Sequence, residues 1–262
     1  MSQDEKRNTS LTISFHQRCC LEFLKEVPSN SIDLVLIDPP YEISKEAGFI
    51  KGGGVERFAV SMDFGEWDKN FDGFPDVIKE AYRVLRKGGT FISFYDLWKI
   101  TKIREYMETV KFKQLRFLEW VKTNPVPINS KINYLTNSRE IMISGVKDGK
   151  PTFNTKYHNG IYSYPICHEK GRFHPNQKPL KLISELITIH SNEGDTVLDC
   201  FSGSGTTPDA CIETHRNFVG CELNDYYEKA DTRIREKIKR KEEEKEIKIE
   251  YHTSQLTNYP KG

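Results

Sequence analysis

Short apolar runs alternate with amphipathic segments along most of the chain. Largely apolar runs such as 34–37 and 90–95 are typical of strands that are buried on both faces of a sheet. Segments with apolar residues three or four positions apart, such as 73–87 and 97–110, are typical of helices that pack on such a sheet. The alternation predicts an α/β fold, and 262 residues are enough for one large domain of that class.

The same patterns predict where the elements lie. Strands are expected at residues 11–16, 34–37, 90–95, 114–122, 139–146, 196–201 and 218–222, with a late edge strand at 247–251. Helices are expected at residues 20–27, 73–87, 97–110, 180–190, 208–214 and 225–246. Two segments lack clear periodicity. Residues 42–72 are either a flap that orders on substrate or a surface insertion, and residues 147–174 are irregular, polar and aromatic.

The strand at 34–37 ends in an unusual sequence, Asp38-Pro39-Pro40-Tyr41. Proline fixes its own φ and cannot donate to a sheet ladder, so Asp38 is expected to be held rigidly where the strand stops. In open α/β sheets this carboxyl edge is where ligands bind. An ordinary Asp-Pro turn is the alternative interpretation.

The motif suits chemistry on the exocyclic amine of a nucleobase, which is a poor nucleophile because its lone pair is delocalised into the ring. The Asp38 carboxylate and the Pro39 carbonyl could each accept one N–H and direct the lone pair at an electrophile. Pro40 would stiffen the turn. Tyr41 would stack on a base that has left the duplex, and such stacking contributes about 1–3 kcal/mol.

A second unit predicts a nucleotide-type site. The strand 196–201 leads through a turn containing Gly203 and Gly205 into a helix, and the next strand ends at Glu222. Glu222 follows Gly203 at about the 20-residue spacing at which an acid meets ribose hydroxyls. A dinucleotide fingerprint would have glycine where Pro208 stands, so a cofactor with a ribose and no pyrophosphate fits better.

Composition narrows the function classes. The net charge is only +1, so any surface that binds nucleic acid has to be local. Segment 147–181 has seven Lys or Arg residues against two acids, interleaved with aromatic residues, and is the best candidate; a solvated loop is the alternative. No apolar run approaches the roughly 20 residues of a membrane span. The six cysteines lack Cys-x-x-Cys spacing and are predicted to be buried, reduced thiols without a metal, as in a cytoplasmic protein.

Asp38-Pro39-Pro40-Tyr41, followed by Asp199-x-Phe201-x-Gly203-x-Gly205-Thr206-Thr207, resembles the amino-methylating DNA methyltransferases. The order, with the catalytic motif first and the cofactor motif last, is similar to their β group. The stretches 174–179 and 120–127 also resemble family segments, and the likeness runs from about residue 13 to about residue 233.

The resemblance implies a three-layer, Rossmann-like α/β methyltransferase fold with a seven-stranded, mostly parallel sheet and one antiparallel strand. It implies S-adenosyl-L-methionine as methyl donor and direct transfer to the N6 of a flipped adenine in double-stranded DNA. Residues 1–262 would form a single catalytic domain. Its catalytic half would be about 11–122, its target-recognition loops about 123–173 and its cofactor half about 174–246.

The family roles carry over residue by residue. The catalytic set would be Asp38, Pro39, Pro40 and Tyr41. The cofactor set would be Cys19, Cys20, Asp38, Gln177, Lys178, Asp199, Phe201, Ser202, Gly203, Ser204, Gly205, Thr206, Glu222 and Leu223. The DNA-binding set would be Lys122, Asn124, Lys131, Arg139, Lys156, Lys170 and Arg172. Family members commonly carry an acid near Cys19, where this chain has Arg18-Cys19-Cys20, so either a backbone carbonyl contacts the cofactor's adenine or the adenine is held differently.

Other interpretations stay open at this point. The same chemistry on cytosine N4 is disfavoured because those enzymes more often have Ser or Asn in place of Asp38. A cofactor-binding DNA-recognition protein without transfer is disfavoured by the intact motif, and a nicotinamide-dependent oxidoreductase by Pro208. A bacterial, archaeal or phage origin is expected, with a cytoplasmic location. The resemblance leaves open a restriction endonuclease as functional partner and a homodimer.

The basic segment yields a first prediction. Replacing the Lys and Arg residues of segment 147–181 should weaken DNA binding and flatten its salt dependence, because each lost phosphate contact lowers the slope by about 0.9. Fluorescence anisotropy at several salt concentrations measures both. Replacing lysines of the charged helix 225–246, a predicted solvated face, is the control. An unchanged salt slope in the first variant would place the DNA on another surface.

Overall fold

The computed structural model describes residues 10–40, 73–127, 135–167, 177–223, 225–244 and 247–254. Several predicted features lie outside the described residues: the flap at 42–72, the stretch 174–176, and the site residues Tyr41, Lys131, Lys170 and Arg172.

Within the described residues, the chain alternates strands and helices. The strands are β1 (Ser10–Gln17), β2 (Ile32–Ile37), β3 (Leu85–Tyr95), β4 (Lys113–Lys122), β5 (Arg139–Val146), β6 (Ile161–Tyr164), β7 (Thr196–Asp199), β8 (Asn217–Glu222) and β9 (Lys248–Ser254). The helices are α1 (Cys20–Glu26), α2 (Phe74–Val84), α3 (Ile100–Thr109), α4 (Leu180–His190), α5 (Thr206–Glu213) and α6 (Tyr226–Glu243), with a 3-10 turn at Leu97–Lys99.

The strands form one sheet in the order β6-β4-β5-β3-β2-β7-β8-β1-β9. Strand β5 runs antiparallel to both of its neighbours, and the other described pairs are parallel. The mostly parallel sheet with one antiparallel strand is therefore confirmed. The predicted count of seven strands is wrong, because the sheet formed by the described residues has nine. The two extra strands, β6 and β9, lie at the two edges.

The two edge strands differ in how strongly the sequence pattern predicts them. Strand β9 corresponds to the late edge strand expected at 247–251, which is confirmed. Strand β6 has only four residues, and their burial alternates within a polar segment that was expected to be irregular. Such a short half-buried run carries too little periodic signal to be recognised.

Helices cover both faces of the sheet and make three layers. Helices α4, α5 and α6 contribute Leu186, Ala210 and Ile234 to one buried cluster. Helices α1, α2 and α3 contribute buried residues to the other, among them Leu24, Val77, Ile78 and Ile103. Burying one such aliphatic side chain contributes about 1.5–3 kcal/mol, so the two clusters dominate the stability of the sheet.

Strand β2 is held by both clusters. Leu34 and Leu36 belong to the cluster on one face, and Val35 and Ile37 belong to the cluster on the other. Because strand side chains alternate, a slip of one residue would exchange the two sets between cores. The strand's register, and therefore the position of the residue that follows Ile37, is strongly specified.

The described residues contain no helix with the length and apolar character that crossing a membrane requires. All six cysteines have free thiols, and five of them are buried. No cluster of three His, Cys, Asp or Glu side chains suited to a metal was found among the described residues.

Candidate active site

The carboxyl ends of three neighbouring parallel strands bring the predicted site residues together. Strand β2 pairs with β7 through Leu34 opposite Val197, and β7 pairs with β8 through Asp199 opposite Gly220. Continuing these registers brings Asp38 level with Phe201 and Phe201 level with Glu222. The two predicted half-sites, one at Asp38 and one at the glycine turn, therefore share one edge of the sheet.

Asp199 organises the turn that follows β7. Its Oδ1 accepts the Phe201 N–H at 2.9 Å, and its Oδ2 accepts the Thr207 hydroxyl at 2.6 Å. The Ser202 hydroxyl donates to the Asp199 carbonyl at 3.0 Å. Burial raises the pKa of Asp199 to about 7; the Thr207 and Phe201 hydrogen bonds oppose the rise, and the nearby carboxylates of Asp38 and Glu222 add to it. Asp199 thus supports the turn from inside.

The glycine turn needs its glycines for backbone geometry. Gly203 and Gly205 have φ of 51° and 76°, in the left-handed region that favours glycine. A Cβ on Gly205 would also lie 3.3 Å from the Cβ of Ala230 on α6. Ser204 and Thr206 join their hydroxyls at 3.1 Å across the same turn. The turn therefore passes close to its neighbours and leads directly into α5.

Glu222 ties the end of β8 to the glycine turn. Its Oε2 accepts the Gly203 N–H at 2.6 Å, and its Oε1 accepts the Leu223 N–H at 2.9 Å. The side chain is buried, so these charge-assisted bonds fix its orientation. An ionised carboxylate has about four acceptor positions, enough for two amides and a ribose diol. The geometry fits the predicted ribose contact.

Gln177 supplies an acceptor suited to a ligand. The residue is buried, and its Nε2 lies 3.5 Å from the Cys167 sulfur. Its Oε1 is buried and has no hydrogen-bond partner among the described residues. Leaving such an acceptor unsatisfied costs about 1–3 kcal/mol, which a hydroxyl or amine of a bound cofactor would recover. Gln177 directly precedes Lys178, which contacts Asp38, and such an acceptor suits the predicted S-adenosyl-L-methionine site.

Lys178 contacts Asp38, the first residue of the predicted catalytic motif, directly. Its Nζ lies 2.5 Å from Asp38 Oδ2 and 3.1 Å from Glu140 Oε2, and it sits over the Phe94 ring at 4.7 Å from the ring centre. Burial alone lowers the pKa of Lys178, but the carboxylates of Asp38 and Glu140 more than offset this and raise it. The ammonium is therefore a permanent positive charge beside Asp38. Sequence reasoning placed Lys178 at the cofactor and in the basic segment 147–181, and did not predict its contact with Asp38.

Glu140, which sequence reasoning missed, joins Lys178 to a second lysine. Its Oε1 lies 2.8 Å from the Nζ of Lys122. Burial raises the pKa of Glu140, but Lys178 and Lys122 together bring it below its ordinary value, so the carboxylate is charged. An acid at the start of an otherwise buried strand was the one available signal. It could not be recognised alone, because both lysine partners are distant in sequence.

The Arg18-Cys19-Cys20 stretch lies at the end of β1. The Arg18 N–H donates to the Glu222 carbonyl at 3.1 Å, while its guanidinium pairs with Glu26. The Cys20 thiol and, after it, two backbone N–H groups of the first turn of α1 lower the pKa of Cys19 to about 5. The contact to the cofactor's adenine, predicted at Cys19 and Cys20, stays a prediction.

The predicted DNA-binding residues that are described have different environments. Asn124 is engaged locally, because its Oδ1 accepts the Ile166 N–H at 2.6 Å. Arg139 is exposed and lies 3.2 Å from Glu119, and Lys156 is exposed as well. Lys122, by contrast, turns inward to Glu140, with a side chain only 10% exposed. A DNA contact by Lys122 would require this ion pair to open.

Within the basic segment 147–181, not every cation faces outward. Lys178 is buried. Lys147 donates to Asn30 at 2.8 Å and to the Arg83 carbonyl at 3.1 Å. Lys150, Lys156 and Lys181 are exposed. Among the described residues, these last three are the members best placed to meet phosphates.

Comparison with known proteins shows the family to which the chain belongs. A family model described as DNA methylase (N6_N4_Mtase) matches residues 32–233. The chain is 33% identical over 243 residues to Type II methyltransferase M.HinfI of Haemophilus influenzae, covering 83% of this chain and 67% of that protein. It is 31% identical over 230 residues to Type II methyltransferase M2.MboI of Moraxella bovis, covering 80% and 82%.

Solved structures show the same likeness. The M1.HpyAVI–SAM complex superimposes with a TM-score of 0.65 at 28% identity, covering 86% of this chain and 99% of that one. PvuII DNA methyltransferase, described as cytosine-N4-specific, gives a TM-score of 0.67 at 17% identity, covering 86% and 87%. At that identity the second likeness shows the fold alone.

The pKa of Asp199 yields a prediction about stability. In an unfolded chain its carboxyl has a pKa near 4, against about 7 in the folded protein. Between these two pH values the folded protein binds more protons than the unfolded chain. The contribution of the protonated Asp199 to the free energy of unfolding is therefore lost as the pH rises toward 7. Asp199→Asn removes the titration. The difference in free energy of unfolding, variant minus wild type, should rise by at least about 1 kcal/mol from pH 5 to pH 8, because only the wild type loses this contribution.

Urea unfolding of both proteins at the two pH values measures this difference. Other titrating groups cancel because they are common to both proteins. A difference that stays constant across the range would mean that Asp199 is already ionised in the folded protein at pH 5.

Proposed function

Because the chain belongs to the β group of S-adenosyl-L-methionine-dependent DNA amino-methyltransferases, we propose that it methylates the N6 amino group of adenine in double-stranded DNA. S-Adenosyl-L-methionine, when bound, supplies an electrophilic methyl group. One observation carries the proposal: Asp38 stands at the same buried sheet edge as the glycine turn and Glu222, so the groups for amine and cofactor share one site.

The chain's own residues then account for the activation of the amine. The Asp38 carboxylate and the Pro39 carbonyl each accept one N–H of the target amine, which draws its lone pair out of the ring. Lys178 fixes one oxygen of Asp38, so the carboxylate need not reorient when the base arrives. Such preorganisation in a partly buried site is worth more than the same hydrogen bonds in water. Tyr41 would stack on the flipped base.

The cofactor residues have complementary tasks. Glu222 holds the ribose, and the turn from Phe201 to Thr206 borders the methionine part. Gln177 provides a buried acceptor at the side of the site that carries Lys178. These roles, and the division of the chain into catalytic, recognition and cofactor segments, are part of the proposal.

Adenine is preferred to cytosine because of Asp38. The N4-cytosine enzymes of this family more often have Ser or Asn at that position. The cytosine-N4-specific neighbour shares only 17% identity, which leaves the choice of base to the site itself. Among the exposed cations of the basic segment, Lys181 lies at the start of α4, three residues after Lys178, and supports a DNA surface beside this site. A restriction endonuclease partner, a homodimer and a cytoplasmic location remain predictions.

The product distinguishes the two bases. Purified protein, S-adenosyl-L-methionine and unmethylated genomic DNA are incubated, and the DNA is digested to nucleosides for mass spectrometry. N6-Methyladenine is the expected product. N4-Methylcytosine in its place would make the assignment of adenine wrong, and no methylated nucleoside at all would contradict transfer itself.

The catalytic motif yields a mutational prediction. Asp38→Ala should lower methyl transfer by about 10²-fold or more, because one of the two acceptors that activate the amine is lost. Cofactor affinity should stay largely intact, since Asp38 acts mainly on the base. Transfer of radiolabelled methyl groups and calorimetric titration of the cofactor measure the two effects.

Asp148→Ala is the matched control. Asp148 follows the end of β5, at the opposite edge of the sheet, and accepts a hydrogen bond from Tyr82 at 3.3 Å. This variant should transfer methyl groups at the wild-type rate. Near-normal turnover by Asp38→Ala would contradict the proposal that Asp38 activates the amine.

A further inference from the structure

Four charged side chains of alternating sign form a continuous chain at the catalytic edge. Asp38 lies 2.5 Å from Lys178, Lys178 lies 3.1 Å from Glu140, and Glu140 lies 2.8 Å from Lys122. The side chains of Lys178 and Lys122 are only 8% and 10% exposed. Charges removed from water in this way are stable only when they are paired. The four formal charges sum to zero, so each member depends on the others.

Aromatic rings fix where the two ammonium groups lie. The Lys178 Nζ sits 4.7 Å from the centre of the Phe94 ring, and the Lys122 Nζ sits 5.3 Å from that of Trp120. The indole N–H of Trp120 donates to the Tyr164 carbonyl at 2.9 Å, which anchors that ring to β6. The charge chain therefore rests on strands β3, β4 and β6, and it has a defined geometry.

Glu140 limits the freedom of Lys178. A lysine side chain has a flexible four-carbon stem and an ammonium with three donors, so one anion alone does not fix its position. The Asp38 and Glu140 carboxylates contact the same ammonium while the Phe94 ring lies against it. Without Glu140, Lys178 could shift with Asp38 or away from it. A displacement of about 1 Å at a reacting group can lower a rate by about 100-fold.

The ion pair between Glu140 and Lys122 also lies where the chain leaves β4 and enters β5. Lys122 is the last residue of β4, and Glu140 is the second residue of β5. The chain leaves the sheet after Lys122 and returns to it at Arg139, next to Glu140. The residues in between, 123–138, are part of the proposed target-recognition region. The ion pair of Lys122 and Glu140 closes the base of that segment. A displacement of Glu140 would be passed to Asp38 through two contacts, Glu140 to Lys178 and Lys178 to Asp38.

We propose that Glu140 is a positioning residue for methyl transfer: it fixes Lys178, through Lys178 it fixes Asp38, and with Lys122 it ties Asp38 to the base of segment 123–138. The inference rests on the proposed methyl transfer to DNA. It does not depend on which base receives the methyl group.

The test compares Glu140→Gln with wild type under single-turnover conditions, with enzyme in excess over unmethylated genomic DNA and with radiolabelled S-adenosyl-L-methionine. The rate constant of transfer should fall by about 10- to 100-fold. The dissociation constants for cofactor and DNA should stay close to wild type. The melting temperature should fall, because two buried lysines lose a counter-charge, so rates are compared at a temperature at which the variant is fully folded. Glu140→Asp, which keeps the charge on a shorter stem, should recover part of the rate.

Glu213→Gln is the matched control. Glu213 also pairs with two lysines, Lys237 and Lys241, but it lies on α5 and contacts α6. Its replacement should leave the transfer rate unchanged. An equal loss of rate in this control would show that any such ion pair affects turnover through general stability, and would overturn the inference.

A double variant tests whether Glu140 acts through Lys178. If it does, Glu140→Gln combined with Lys178→Met should lose no more activity than Lys178→Met alone. Losses that multiply would show independent action and overturn the proposal. Wild-type rates in Glu140→Gln would overturn it while leaving the proposed function intact. A wild-type protein that transfers no methyl group to DNA would overturn both.

Discussion

Three carboxylates at one buried sheet edge are the constraint on which the site depends. Asp38, Asp199 and Glu222 stand at or just beyond the ends of adjacent strands, where an unpaired buried charge would be strongly destabilising. Each is compensated differently. Glu222 accepts two backbone N–H groups, Asp199 accepts a hydroxyl and an amide and has a raised pKa, and Asp38 is paired with Lys178. The edge can therefore be rich in acids and still be folded.

The different partners of the three carboxylates also correspond to different proposed roles. Glu222 and Asp199 are fixed by the backbone of the turn they support, so in the proposed function they shape the cofactor pocket. Asp38 has a side-chain partner on a different segment of the chain. An acid-rich edge also suits a cofactor that carries a positive sulfonium, since opposite charges attract strongly where water is partly excluded.

The parts of the site that could be predicted are those whose signal is local. Asp38 follows a continuous apolar strand directly, and the spacing from Gly203 to Glu222 lies within one strand-helix-strand unit. The bounds of α4 and β5 agree with those expected from periodicity. Glu140 could not be found in this way. Its partners lie in other segments, and only the sheet order, with β5 next to β3 and β4, brings them together.

The direction of β5 explains why this long-range contact exists at all. Because β5 is antiparallel, its first residues lie at the same edge as the last residues of β3 and β4. The chain that leaves β4 at Lys122 and returns at Arg139 must therefore leave and return at the edge that carries Asp38. A parallel strand in this place would have put Glu140 at the opposite edge, far from Lys178. The reversed strand β5 thus brings the ends of the proposed recognition segment and the proposed catalytic carboxylate to the same side of the sheet, where ion pairs can connect them.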